Sequence, residues 1–271
     1  VQSYMEHKGA DITPFEEMVD HLFDEKRFFS SKVDFACMSV NVSRMQPHAF
    51  TKGEMRCSID PRDALLASAA CFPAFPMRKI RGENYIDGGY YDNVPIQLAR
   101  SLGADQIIAV DLKSVGTKKV WQPQSDVCYI EPYVTLGSFL LFDHQRIQRN
   151  MRLGYLDAMK KLGHQLGYIY TFPKKDRKHI DRWEEGFQAF HEGFSIPFRH
   201  QRISELYHAL LARQLSSSMQ EYADYDHPYL RILELCAFVF DINDEQIYSF
   251  FAFLRILLEC VETYTPSYDK L

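Results

Sequence analysis

The sequence lacks several patterns that identify common classes of protein. Its six cysteines form no C-x-x-C pair, and its ten histidines form no H-x-H or H-x-x-x-H pattern, which argues against a metal site built on such motifs. No apolar run reaches the length of a membrane span. An excess of basic residues is also missing, because 31 Lys and Arg stand against 36 Asp and Glu. The resulting net charge of -5 disfavours nucleic acid as a general partner.

What remains is the composition of an ordinary globular protein of 271 residues, with 46% hydrophobic and 25% charged residues. Six cysteines are too few for a disulfide scaffold in a chain of this length. We therefore expect reduced thiols and a cytoplasmic protein, and no residue pattern implies a metal or cofactor.

The first 115 residues alternate predicted helices with short apolar segments. Pro follows a capping residue at Thr13-Pro14 and at Asp60-Pro61, which predicts two helix starts, the first helix running to about Arg27. Residues 33–42 and 106–112 are apolar without clean alternation, as in strands buried on both faces. This alternation predicts an α/β fold with a mainly parallel sheet.

Helical periodicity dominates after Asp143 and predicts a helical C-terminal extension. Three apolar stripes predict helix faces that pack on a core: Ile147, Met151, Tyr155, Ala158 and Leu162; Ile203, Leu206, Leu210 and Leu211; and Ile247, Phe250, Phe251, Leu254, Leu257, Leu258 and Val261. With the charged break at 174–178, we expect residues 1–172 to form an α/β core and residues 173–271 a helical region.

The sharpest local feature is the tripeptide Asp87-Gly88-Gly89. One interpretation is a hairpin turn between β-like pieces at 85–86 and 90–91, and the tripeptide alone favours it. The other makes Asp87 a general base at a strand end, where the glycines let backbone and substrate approach closely.

The surroundings of this tripeptide resemble a known family. A small-residue Ala-Ser segment ending in prolines lies upstream at 67–76, Asn93 and Pro95 follow the Tyr-Ile-Asp-Gly-Gly turn, and a Gly-Ala-Asp strand entry begins at Gly103. In order and spacing these three pieces resemble the patatin-like phospholipase family. The resemblance extends from about Ile12 to Phe172.

The resemblance implies a fold and an activity. The fold would be a patatin-like three-layer α/β core, and the activity that of a lipid acyl hydrolase, a phospholipase or esterase, with a Ser-Asp dyad. Asp87 would be the catalytic base, and Gly88 and Gly89 would shape the turn beside the substrate. The partner would be a lipid ester reached through an apolar pocket, with peripheral contact to a membrane, and neither cofactor nor metal is implied.

The sequence departs from the family in two elements. It contains no G-x-S-x-G nucleophile elbow and no glycine-rich oxyanion loop. In the family both elements precede the region that begins here, so we expect them upstream of Val1 and the core to be incomplete at its N-terminus. The alternative is a non-catalytic protein that keeps the patatin fold and binds lipid or a protein partner. A third interpretation is that the turn is structural and the resemblance is one of fold alone.

Three other segments carry weaker signals. Ser68, in Ala-Ser-Ala-Ala, is best interpreted as small-residue packing. The basic segment 77–81 is suited to lipid phosphates, although such runs are more often solvated loops. Residues 250–258 would contact lipid if their apolar side chains were exposed.

Overall fold

The computed structural model of the chain describes residues 10–119, 124–138, 140–141, 143–195 and 227–263. It forms two compact units, Val1–Tyr129 and Ile130–Leu271. The division expected from the sequence, into an α/β core of residues 1–172 and a helical region of residues 173–271, stays a prediction.

A four-stranded sheet lies at the centre of the first unit, with the order β2-β1-β4-β3. Its strands are β1 (Ala36–Asn41), β2 (Gln46–Thr51), β3 (Arg78–Ile80) and β4 (Glu83–Asp87). Strand β1 pairs with β2 and with β4, β3 pairs with β4, and all three pairings are antiparallel.

The prediction of a mainly parallel sheet is therefore wrong for this sheet. Only residues 42–45 connect β1 to β2, and a parallel crossover needs about a dozen residues or more. Met45 has a φ of 55°, a left-handed conformation that closes this short connection. Strand β2 was not expected from the sequence because it contains Pro47, and the structure places it at the sheet edge, where a missing N–H is tolerated.

Five helices accompany this sheet in the described part of the first unit: α1 (Thr13–Leu22), α2 (Glu25–Ser30), α3 (Lys52–Cys57), α4 (Pro61–Ser68) and α5 (Ile96–Ser101). The helix start at Asp60-Pro61 is confirmed, since the Asp60 side chain accepts the N–H of Arg62. The helix predicted from Thr13 to Arg27 is interrupted at 23–24, where Asp24 caps a separate helix. Phe50 and Ala67 lie in the buried cluster between sheet and helices.

A smaller sheet of β5 (Ile107–Val110) and β6 (Val127–Ile130) follows. Ile107 and Ala109 are buried, whereas the alternate residues Ile108 and Val110 are exposed. The predicted strand at 106–112 is thus confirmed in position, but it is covered on one face only.

The second unit is mainly helical in the residues described. Its helices are α6 (His144–Lys161), α7 (Arg177–Ser195), α8 (Pro228–Val239) and α9 (Phe250–Thr263), and the short strands β7 (Gln165–Leu166) and β8 (Phe172–Pro173) pair antiparallel. Its core contains closely spaced aromatic side chains, among them Tyr170, Phe172, Phe250 and Phe253.

The predicted apolar stripes have three different outcomes. The first stripe lies on α6 but faces solvent, because Ile147, Met151, Tyr155 and Leu162 are exposed while Leu153 and Leu156 on the opposite side are buried. The second stripe, 203–211, lies outside the described residues. The third is divided on α9, where Phe250 and Leu257 are buried and Phe251 and Leu258 are exposed. In the described part of the chain no helix combines the length and apolarity needed to cross a bilayer.

Candidate functional site

Asp87 is the last residue of β4, and a 3₁₀ turn of Gly88–Tyr90 follows it directly. The hairpin interpretation of the tripeptide is therefore wrong, since no strand follows the turn. The backbone N–H of Asp87 donates to the carbonyl of Ala70 at 2.9 Å, which attaches the strand end to the segment after α4. The partly buried carboxylate thus projects from the end of a strand that is fixed on both sides.

The two residues after Asp87 must be glycines because atoms of neighbouring residues lie too close for a side chain. A Cβ atom on Gly88 would lie 2.3 Å from the carbonyl oxygen of Met38 in β1, and one on Gly89 would lie 2.2 Å from Oδ1 of Asn93. The structure thus gives both glycines a packing role beside Asp87, whereas their contact with a substrate stays a prediction.

A neighbouring loop holds the turn in place. Thr117 N–H donates to the carbonyl of Gly89 at 2.8 Å, and Asn93 N–H donates to the carbonyl of Thr117 at 2.8 Å. The Asn93 side-chain amide also donates to the carbonyl of Val115 at 3.3 Å. Two segments, 89–93 and 115–117, therefore fix each other beside the carboxylate.

Tyr90 and Cys71 also lie at this turn, and sequence reasoning did not single them out. The Tyr90 hydroxyl donates to the carbonyl of Phe72 and lies 3.9 Å from the Cys71 sulfur. Burial raises the pKa of Tyr90, and the Cys71 hydrogen bond and the negative charge of Asp87 raise it further. Tyr90 therefore stays a neutral hydroxyl near the carboxylate, with its hydrogen donated to Phe72.

The electrostatic setting of Asp87 favours proton uptake. Burial raises the pKa of the Asp87 carboxyl, and the N–H of Gly89, which donates to Oδ1 at 2.7 Å, partly offsets this. Within the described residues, the Gly89 N–H is the donor that hydrogen-bonds to the Asp87 carboxylate. A carboxylate with a raised pKa and spare acceptor capacity is a stronger base than an ordinary Asp.

No serine hydroxyl of the described residues hydrogen-bonds to the Asp87 carboxylate. Ser39 is paired with Asp87 across the sheet, but it is fully buried and its hydroxyl donates to the carbonyl of Ile86 at 2.6 Å. Ser68, the last residue of α4, lies beside the Cys37 thiol, which supports its interpretation as a packing residue. The pairing of Asp87 with a serine nucleophile therefore stays a prediction.

The basic segment 77–81 is largely occupied by internal contacts. Arg78 bonds to Glu16 at 2.5 Å and to Asp63 at 2.6 Å. Arg81 donates to the carbonyl of Ser58 at 2.5 Å. Arg78 thus links helices α1 and α4 to the sheet, and Arg81 links the end of α3 to it. Both cations are therefore poorly placed to bind lipid phosphates.

A cavity of about 240 Å³ lies close to the strand end. Ala69 and Ala70 line it, together with side chains of α1 such as Phe15. Ala70 is the residue whose carbonyl accepts the Asp87 N–H, so cavity and carboxylate share one backbone segment. Among the described residues no group of His, Cys, Asp and Glu is arranged to hold a metal ion.

Comparison with known proteins gives a match for the segment that contains this turn. The family model described as Patatin-like phospholipase matches residues 2–100, which include Asp87, Gly88, Gly89 and Asn93. No curated protein matches the chain. The α/β class agrees with this match, whereas the resemblance from residue 101 to Phe172 stays a prediction. By this match, residues 2–100 are similar to the patatin-like phospholipase family.

Proposed function

We propose that this chain carries the base of a lipid acyl hydrolase, a phospholipase or esterase in which Asp87 works with a serine nucleophile. The partly buried carboxylate at the strand end is the observation that carries the proposal, because burial raises its pKa and little else in the described chain occupies it. The family of residues 2–100 supports a lipid ester as the substrate class.

The chemistry assigns Asp87 one proton uptake and one proton return in each half of the reaction. In the first, its carboxylate takes the proton of the serine hydroxyl while the serine oxygen bonds to the ester carbonyl carbon. The carboxylic acid then returns this proton to the departing alkoxide, leaving an acyl-serine. In the second half, Asp87 takes a proton from water as the water oxygen attacks the acyl carbon, and the serine recovers its proton when the acyl bond breaks.

The other groups at the turn serve this base. Gly88 and Gly89 let the chain turn tightly against β1, and Asn93 holds the turn against segment 115–117. Tyr90, which donates to the carbonyl of Phe72, would hold the turn against the segment after α4. The cavity bounded by Phe15 and Ala70 would accommodate an apolar portion of the substrate.

The test is an ester-hydrolysis assay of the complete gene product, because residues 1–271 contain no G-x-S-x-G. We expect Asp87→Asn to lower kcat by about two to four orders of magnitude, the usual effect of removing a general base. Asp92→Asn is the matched control: Asp92 is buried in the same turn and accepts the Val94 N–H, so it should retain activity if folding is preserved.

A second candidate is a non-catalytic patatin-fold protein that binds lipid or a protein partner, and the missing G-x-S-x-G favours it. If the complete gene product also lacks a serine elbow and hydrolyses no ester, this candidate replaces the hydrolase. If hydrolysis occurs and Asp87→Asn leaves it intact, the role of Asp87 is wrong.

A further inference from the structure

Helix α6 of the second unit presents an apolar stripe to solvent. Ile147, Met151 and Tyr155 lie four residues apart, which places them on one face of the helix, and they are 43%, 71% and 53% exposed. Leu153 and Leu156, on the opposite face, are buried with 3% and 1% exposure. The helix thus carries two apolar faces, of which only one is used to pack it into the unit.

Basic side chains border this stripe. Residues 144–161 contain five basic residues and a single acidic one in a chain whose net charge is -5. Helical geometry places Arg152 along one edge of the stripe and Lys161 along the other. The Arg152 guanidinium lies 5.6 Å from the centre of the Tyr155 ring, which keeps this cation beside the apolar residues.

The two cations at the edges of the stripe are not paired with carboxylates of the described chain, whereas Arg149, away from the stripe, is paired with Asp244 at 2.5 Å. Arg152 donates to the backbone carbonyl of Glu245 at 3.0 Å, a contact that leaves its positive charge in place. Lys161 is exposed at the C-terminal end of the helix. The acidic residue of the helix, Asp157, is buried on the other side and is paired with Lys160 at 2.9 Å.

The exposed face of α9 provides a comparison within the same unit. Phe251 and Leu258 are each 60% exposed there. However, that face also carries Arg255, which faces Glu259 at 3.7 Å, and Glu262, so it has no positive excess. Both faces expose large apolar side chains, but they differ in charge.

We infer that the α6 stripe of Ile147, Met151 and Tyr155, with Arg152 and Lys161 at its edges, docks on the surface of an anionic lipid membrane. An apolar face bordered by cations is the pattern of helices that lie in the membrane interface, where the side chains enter the acyl boundary and the cations meet lipid phosphates. This inference rests on the proposed function in that a lipid acyl hydrolase must reach its substrate at such a surface. The exposed face of α9 takes no part in this docking.

The test is vesicle co-sedimentation with the complete gene product carrying Asp87→Asn, so that binding is measured without turnover. Vesicles of phosphatidylcholine with phosphatidylglycerol are compared with vesicles of phosphatidylcholine alone. We expect binding to the anionic vesicles only, weakened by added salt. The double substitution of Ile147→Gln and Met151→Gln should reduce binding by roughly tenfold or more. Arg152→Gln and Lys161→Gln should each reduce it by about fivefold.

Leu258→Gln on α9 is the matched control, since it removes an equally exposed apolar side chain from a face without positive excess, and it should leave binding unchanged. Equal binding by the Ile147→Gln, Met151→Gln variant and the parent would overturn the inference. A dimer in sedimentation velocity that these same substitutions dissociate would also overturn it, by assigning the stripe to a second copy of the chain.

The experiments distinguish an error in the proposed docking surface from an error in the proposed catalytic base. If no vesicle binds but Asp87→Asn abolishes hydrolysis of a water-soluble ester, the surface is wrong and the base stands. If anionic vesicles bind through α6 but hydrolysis is insensitive to Asp87→Asn, the docking surface stands and the proposed role of Asp87 is wrong.

Discussion

Gly88 and Gly89 adjoin the same carboxylate but meet different kinds of neighbour. The atom that a Gly88 Cβ would strike is a backbone carbonyl of β1, which is held by strand pairing. The atom facing Gly89 is the side-chain amide oxygen of Asn93, which can rotate away. The two positions should therefore tolerate an added methyl group very differently.

We predict that Gly88→Ala costs about 3 kcal/mol of unfolding free energy or prevents folding, because β1 or the turn must move. Gly89→Ala should cost about 1 kcal/mol, since it displaces Asn93 from its contact with Val115. Urea unfolding of both variants measures this difference. Gly154→Ala is the control, because its Cβ would meet no atom within 4 Å and should stabilise α6 slightly. Equal losses for Gly88→Ala and Gly89→Ala would contradict the argument.

At this scale the sequence identified Asp87 and its glycines, through the resemblance rather than through the tripeptide. It did not identify Tyr90, Cys71 or Thr117. Their positions depend on hydrogen bonds between segments distant along the chain, such as Tyr90 with Phe72 and Thr117 with Gly89. No local pattern encodes such pairings.

The start of helix α8 depends on a side chain from another helix. His227, at the N-cap, makes no side-chain capping bond. Instead the buried carboxylate of Glu184 in α7 accepts the N–H of Tyr229 at 2.7 Å and that of Leu230 at 2.9 Å. Two of the N–H groups that a helix leaves unpaired at its first turn are thus satisfied in tertiary structure.

We predict that Glu184→Ala lowers the unfolding free energy by about 2 kcal/mol, because it leaves these two N–H groups buried without an acceptor. Glu184→Gln keeps one acceptor oxygen and should lose less. Chemical denaturation followed by far-UV circular dichroism provides the measurement. The neighbouring residue Glu185 is exposed, so Glu185→Ala is the control. Its unfolding free energy should stay within about 0.5 kcal/mol of the parent. A loss as large for Glu185→Ala would refute a capping role for Glu184.

Elements with local start signals were predicted well, and their pairing was not. The helix after Asp60-Pro61 and the strand ending at Asp87 lie where the sequence indicated. Strand β2 was not predicted because Pro47 and its polar neighbours do not form a strand pattern. Without β2, the antiparallel pairing with β1 could not be predicted. The helical periodicity of α6 was predicted correctly, but the buried face was not. A helix with apolar residues on two sides does not indicate from its sequence which side is buried.

A buried carboxylate organises the centre of the second unit. Glu234 of α8 is fully buried and accepts the N–H groups of Tyr168, Ile169 and Tyr170 at 2.5–3.0 Å. Burial raises its pKa to about 7, although the charges of Lys160 and Arg231 and the backbone N–H groups act in the opposite direction. The protonation of one internal group is therefore coupled to the stability of this unit.

The sign of this coupling follows from a folded-state pKa above the ordinary 4.5. The folded state binds the proton more tightly, so its stabilising contribution is complete below pH 4.5 and is lost as the pH rises to about 7. In the parent protein the unfolding free energy should fall by on the order of 3 kcal/mol across this pH window because of Glu234. We predict that Glu234→Gln removes this fall. Urea unfolding at several pH values measures it, with Glu185→Gln as the exposed control. Parallel pH profiles for Glu234→Gln and the parent would show that Glu234 does not titrate there.

The mutual attachment of segments 89–93 and 115–117 has a consequence for the proposed reaction. Because these bonds form when the chain folds, the conformational entropy of the Asp87 turn is lost once, during folding, and not again at each turnover. A substrate arriving at Asp87 meets a base whose position is already set. Its binding free energy is then available to orient the ester instead of ordering a loop.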